Sequence, residues 1–185
     1  MLPIRIALIA AAGLLLAGHA VGFADSAPVV GEVSVQSLKG YTYAYVSTQT
    51  TLNNLLPAID ALMHQLDQVL DAGKLRQQGP VIFTYHGATG ERNKTFTLDV
   101  GLVVKDGTAK PDGIQIMTVP PLHCATLLYT GGISGLGAAY GKLYAEIGRR
   151  SLEATDVSRE VYLYWEDRQS PNNILQLQAD LAPTN

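Results

Sequence analysis

The stretch Glu32-Val-Ser-Val-Gln-Ser-Leu-Lys-Gly-Tyr-Thr-Tyr-Ala-Tyr-Val46 alternates, is rich in β-branched and aromatic residues, and is interrupted only at Lys39-Gly40. It reads as one strand, or as two broken at that point, because period-2 alternation sends successive side chains to opposite faces of a sheet. Working outward, Leu55, Ile59, Leu62, Met63, Leu66, Val69 and Leu70 recur at helical spacing. Thr50 or Thr51 is placed to cap that helix, and Pro57 falls near its first turn, where a missing N–H costs little. Asp71-Ala72-Gly73 ends it. Strands follow at 80–86 and 96–104, and 105–113 is a turn-rich linker without apolar periodicity.

After the linker the order restarts. Residues 114–129 give strand material interrupted at Pro120-Pro121, and Ser134 can cap a helix carrying Leu136, Tyr140, Leu143, Tyr144 and Ile147. Strands are expected at 160–166 and 174–181. Residues 38–45 lie 84 positions before 122–129, 80–86 lie 80 before 160–166, and 96–104 lie 78 before 174–182. A preserved order with so small a drift predicts two copies of a strand–helix–strand–strand unit, at about 31–105 and 113–182. The expected fold is α+β: an antiparallel sheet with helices 52–71 and 135–149 on one side, and Tyr45 and Tyr129 at equivalent positions. One such unit cannot cover its own sheet. Two side by side can, and the seam between them is a favoured place for a pocket.

The chain has 185 residues, 47% of them hydrophobic and 16% charged, but both figures are skewed by the first 24. Those read as a secretory signal peptide: Arg5 is the positive region, residues 6–17 are an unbroken apolar run, and Gly22-Phe23-Ala24 is a cleavage site. The run is too short for the ~20 residues that span a bilayer, and no cysteine follows it to take a lipid. An uncleaved anchor is the alternative, since His19 alone is strongly polar between Ile6 and Ala24. Residues 25–185 are then one domain, starting near Asp25 and acting in the periplasm or outside the cell. From Asp25 onward 12 Lys and Arg face 16 Asp and Glu, a net charge of −4, so no basic footprint for nucleic acid is present. The single cysteine, Cys124, sits among apolar residues and reads as a small buried one.

Several motifs dissolve on inspection. Gly131-Gly-Ile-Ser-Gly-Leu-Gly137 imitates a dinucleotide loop but has the wrong spacing, and no acidic residue ends a strand about 20 residues on. It reads as a strand-to-helix turn. His64, His86 and His123 fit no zinc spacing, no nucleophile elbow can be assembled, and neither a metal nor a cofactor is expected. Asn93-Lys94-Thr95 is a glycosylation acceptor relevant only to a eukaryotic secretory route. The tyrosines say more. Tyr41, Tyr43 and Tyr45 share one strand face, and Tyr162 and Tyr164 share another with Glu160. Glu160 either begins an edge strand in solvent or stands at the base of an aromatic pocket, where π faces and a desolvated carboxylate both attract cations.

Arg159-Glu-Val-Tyr-Leu, the polar loop with Pro171 and the closing strand 174–181 resemble the end of the gyrase-inhibitor-like domain, the effector-binding domain of bacterial multidrug-sensing regulators. Phe96-Thr-Leu-Asp-Val-Gly-Leu-Val-Val104 resembles the strand closing its first half, and helix 136–148 after a glycine turn fits its second. The resemblance covers about residues 31–182. It implies the tandem fold already read from the repeat, and a cleft glutamate at Glu160. Departures are the export signal, the absence of room for a DNA-binding domain, and Tyr140 and Tyr144 on a helix face where the family tends to carry Trp. The regulator role is therefore not carried over. What remains is an exported small-molecule-binding domain for amphipathic or cationic ligands, with Glu160 as anchor and Tyr162, Tyr164, Tyr45 and Tyr129 as walls. A small-molecule hydrolase using the same glutamate, and an envelope protein-interaction module, are the alternatives.

Overall fold

The β-branched and aromatic runs form eight strands, and the two segments with 3.6-residue periodicity form the two helices. The computed structural model describes residues 27–183, so the segment expected to be an export signal, residues 1–24, lies outside the described residues. In chain order the elements are β1 (Val29–Leu38), β2 (Tyr41–Thr50), α1 (Leu55–Asp71), β3 (Val81–His86) and β4 (Phe96–Val104). The second half repeats them as β5 (Gln115–Val119), β6 (Leu122–Thr130), α2 (Leu136–Arg149), β7 (Ala154–Tyr164) and β8 (Ile174–Leu181). Lys39-Gly40 thus separates two strands, and the repeating unit has a strand before and after each break. A short 3₁₀ turn precedes each helix, and no side chain caps it: Thr51 stands at the first N-cap without a side-chain bond, and Gly132, not the expected Ser134, stands at the second.

All strands join one antiparallel sheet in the order β1-β6-β8-β7-β3-β4-β2-β5. Each half places its first strand on the far edge of the other half. β1 borders β6 and β5 borders β2, an exchange that no local periodicity signals. Since β1 and β2 lie far apart in this order yet are joined by two residues, the sheet must curl until its ends approach. The two connections meet there: a Cβ on Gly40 would fall 2.5 Å from the Val119 carbonyl oxygen. Inside the curl, Tyr43 and Val119 pack in one cluster with Leu122, Cys124, Ile82 and Val161.

The helices cover the other face, both on the same side. Leu62 and Leu66 of α1 pack on Ala44, Val46, Leu98 and Val100; Ala139, Leu143 and Ile147 of α2 pack on Ala125, Leu127, Leu175 and Leu177. Burying one apolar stripe of each helix against its own half fixes the repeat's register. Ala44 pairs with Leu102, which pairs with Val81; Ala125 pairs with Ala179, which pairs with Ser158. The halves therefore correspond 81 residues apart up to the helices and 77 apart in their last two strands. That differs from the spacing of 84 expected from Tyr45 and Tyr129. The odd difference matters: it puts Tyr45 inside the curl and Tyr129 beneath α2, on opposite faces.

Candidate functional site

β7 lies at the centre of the sheet, not at an edge, and starts at Ala154, so Asp156 belongs to the strand rather than to a loop. Its central placement takes Glu160 out of solvent: 6% of the residue is exposed. Glu160 pairs across the seam with Phe83, and 77 residues separate them, the same spacing that relates the two halves. The Phe83–Glu160 pair thus sits on the pseudo-twofold axis, and Tyr85 and Tyr162 are counterparts flanking it. Above them, α1 and α2 do not close over the seam. They leave a cavity of about 1530 Å³ with Glu160 in its floor, larger than an ordinary drug-sized pocket.

Tyrosine hydroxyls surround the carboxylate. Tyr162 Oη donates to Oε2 at 2.8 Å and Tyr140 Oη, reaching down from α2, donates to Oε1 at 3.3 Å. The Tyr85 hydroxyl addresses the same group. Burial raises the Glu160 pKa, and the three hydroxyls only partly offset this by favouring the ionised form. Burial, together with the neighbouring carboxylate, pushes Tyr85, Tyr140 and Tyr162 well above the ordinary phenol range, so all three remain donors. Rings line the surroundings. Phe83 and Tyr162 lie 4.6 Å apart, Trp165 meets Tyr162 edge-on at 5.3 Å, and Tyr140 stacks on Tyr144 at 6.3 Å. An anion among aromatic faces can hold an organic cation by charge and by cation–π contact together. The rim adds Asp60, Asp67 and Asp156 to the acidic balance, while Arg168 reaches from the β7–β8 loop to pair with Asp60 of α1.

Of the five residues expected to bind ligand, the cavity holds two, Glu160 and Tyr162. Tyr164 lies past a register shift between Tyr162 and Tyr164, where the alternation breaks, and its exposed hydroxyl donates to Glu166. Tyr45 stacks on Tyr43 at 5.1 Å inside the curl. Tyr129 is fully buried and donates to the Gly132 carbonyl, pinning the turn before α2. Sequence reasoning missed Tyr85, Phe83 and Tyr140 as site residues. The correct repeat spacing would have found the first two, since it superposes Tyr85 on Tyr162. Among the described residues no three His, Cys, Asp or Glu side chains converge as metal ligands. His86 instead pairs with Asp99 at 2.8 Å, and Cys124 is buried.

A duplicated strand–helix sheet with a carboxylate on its twofold seam defines a class of small-molecule binder, and the comparisons agree. Residues 31–176 match the GyrI-like small molecule binding domain, and the chain belongs to that family. No curated protein matches the chain. Among solved structures, it resembles EcmrR in its DNA complex, with TM-score 0.68 and 15% identity over 83% of this chain. It spans 58% of that EcmrR chain. It also resembles SAV2435 bound to tetraphenylphosphonium, with TM-score 0.60 and 11% identity over 82% of this chain and 94% of that one. A third, a hydrolase encoded by lin2189 from Listeria innocua, gives TM-score 0.54 and 9% identity over 82% and 92% of the two chains.

Proposed function

We propose that the protein is an exported receptor for amphipathic organic cations, held in the seam cavity with Glu160 as the polar anchor. One observation carries this reading: a buried carboxylate served only by phenol hydroxyls. Among the described residues, no ion pair includes Glu160. A buried charge without a counter-ion is costly, and a bound cation would supply the missing partner. The tetraphenylphosphonium in the SAV2435 structure is a ligand of that chemistry. Export rests on residues 1–24, and the net charge of −4 after them favours a small cation over a nucleic acid as ligand.

Hydrolysis, the activity named for the Listeria protein, is less well served here. The hydroxyls of Tyr162 and Tyr140, nearest the carboxylate, both donate to Glu160 itself, so neither is aimed at a leaving group. Calorimetric titration with an aromatic cation and its neutral isostere tests the proposal. A clear preference for the cation at pH 8, declining as Glu160 becomes protonated, is the expected result. Equal affinities at every pH would refute it.

A further inference from the structure

The two helical walls of the cavity are counterparts with unlike side chains. At the repeat spacing of 81 residues, Leu56 of α1 corresponds to Gly137 of α2, and Asp60 corresponds to Gly141. All four line the cavity. Glycine inside a helix costs about 1 kcal/mol relative to alanine; α2 carries Gly137, Gly141 and Gly148 within its 14 residues, and the first two, which line the cavity, call for a reason. Backbone conformation supplies none, since neither has positive φ. Close packing supplies none either: a Cβ built on Gly137 or Gly141 meets nothing within 4 Å. What the missing side chains leave is open space beside the stacked Tyr140 and Tyr144 rings, and Tyr140 is the ring that reaches Glu160. The α1 side is filled by Leu56 and Asp60, and the Asp60–Arg168 pair bridges it to the β7–β8 loop. By the twofold, Gly141 looks instead toward the β3–β4 loop, where Gly87, Ala88, Thr89 and Gly90 line the cavity.

We infer that ligands lie off-centre, against the glycine stripe of α2, and that Gly137 and Gly141 set the largest ring system the cavity admits. This rests on the seam cavity being the ligand site, and it concerns size where the previous section concerns charge. The wider a ring system is, the more it draws on the space those two positions leave open. A single-ring cation reaches Glu160 without it.

Three probes separate the two questions: tetraphenylphosphonium (large, cationic), N-phenyl-1-naphthylamine (large, neutral) and benzyltrimethylammonium (small, cationic). Gly141→Phe should weaken both large probes by about tenfold or more, because a clash is built against them, and should leave the small cation within about twofold. Gly141→Ala, which intrudes by one methyl, should weaken the large probes less than Gly141→Phe does, and should melt about 2–4 °C higher, as a helix glycine replaced in free space predicts. Unchanged binding of both large probes to folded Gly141→Phe would overturn the inference while leaving Glu160's role intact. Equal loss of the small and large cations from the folded variant would also overturn it, since size would then not be what the glycines control. If the large neutral probe follows the size pattern but wild type shows no preference for cations, the charge reading fails and the glycine reading stands.

Discussion

Replacing Glu160 by Gln should move ligand affinity and apo stability in opposite directions. Gln keeps the side chain's length and one acceptor oxygen for the hydroxyls of Tyr162 and Tyr140, which lie 2.8 and 3.3 Å from different carboxylate oxygens. It removes the charge and puts an amide NH2 in place of the second oxygen, where the facing hydroxyl must turn to accept. A hydrogen bond or contact to a buried charge is worth about 1.5–3 kcal/mol, so a cationic ligand should lose about one to two decades of affinity. A neutral ligand of the same shape should lose almost nothing. The stability sign follows from the raised pKa of Glu160. The stabilisation associated with a raised carboxyl pKa is fully present below the unfolded value of about 4.3 and is lost as pH rises through the folded value. Above that range wild type carries the burial of a charge that Gln avoids. Glu160→Gln should therefore melt higher than wild type at pH 8, with the difference closing near pH 4. Its cation affinity should also be flat over the pH range in which wild type loses affinity. Calorimetry with a matched cation and neutral isostere, beside thermal melts at both pH values, reads all of this. Equal losses for the two ligands, or a lower melting temperature for the variant at pH 8, would refute the reasoning.

The His86 pKa is raised, chiefly by its hydrogen bond to Asp99 at 2.8 Å. The stability this contributes is present below the unfolded His value of about 6.5 and fades as pH rises through the folded value. His86→Gln should accordingly lower the melting temperature at pH 5.5 and leave it nearly unchanged at pH 9. Cys124 is pushed up to about 12 by burial and by donating its thiol proton to Asp180 at 3.1 Å. At pH 8 it should resist iodoacetamide in the native protein and react promptly in guanidinium, as mass spectrometry of the two samples will report. Finally, N-terminal sequencing of exported protein should start near Asp25; an intact Met1 would favour an uncleaved anchor.

Periodicity made the local elements legible, because the interactions that form them are local. Both helices and the strands from β2 to β8 follow from side-chain alternation or 3.6-residue spacing, though β7 begins at Ala154, well before the expected 160. What stayed hidden depends on partners distant in the chain. The exchange of β1 and β5 between halves is decided by sheet closure around Lys39-Gly40 and Pro120-Pro121, and alternation is silent about which edge a strand joins. Resemblance of side chains also misled: Tyr45 and Tyr129 look like counterparts, yet packing of Ala44 and Ala125 under their respective helices sets the true spacing. Glu160 and Tyr162 were legible because they share one face of a regular strand. Tyr164 was not excluded because the register shift that turns it outward has no sequence signature. Tyr85 and Tyr140 enter the site from β3 and α2, across the seam and from above it.

The single carboxylate at the seam makes physical sense once the duplication is taken seriously. A twofold axis through an antiparallel strand pair sets two equivalent residues side by side. Two glutamates there would be like charges in a buried site, and one of them would have to take up a proton. Here the halves differ at the axis itself: Phe83 faces Glu160 across it, while their flanking counterparts, Tyr85 and Tyr162, are both tyrosines that address the charge. The symmetric part of the site supplies neutral donors, which tolerate being duplicated. The asymmetric part supplies one charge and one ring wall, which do not. The same division runs up the helices, where Leu56 and Asp60 stand on one wall and Gly137 and Gly141 on the other. A cleft built from two copies of one unit thereby gains a floor and an open side, and on the proposed reading a ligand with one charged end and one bulky end would have a single way to fit.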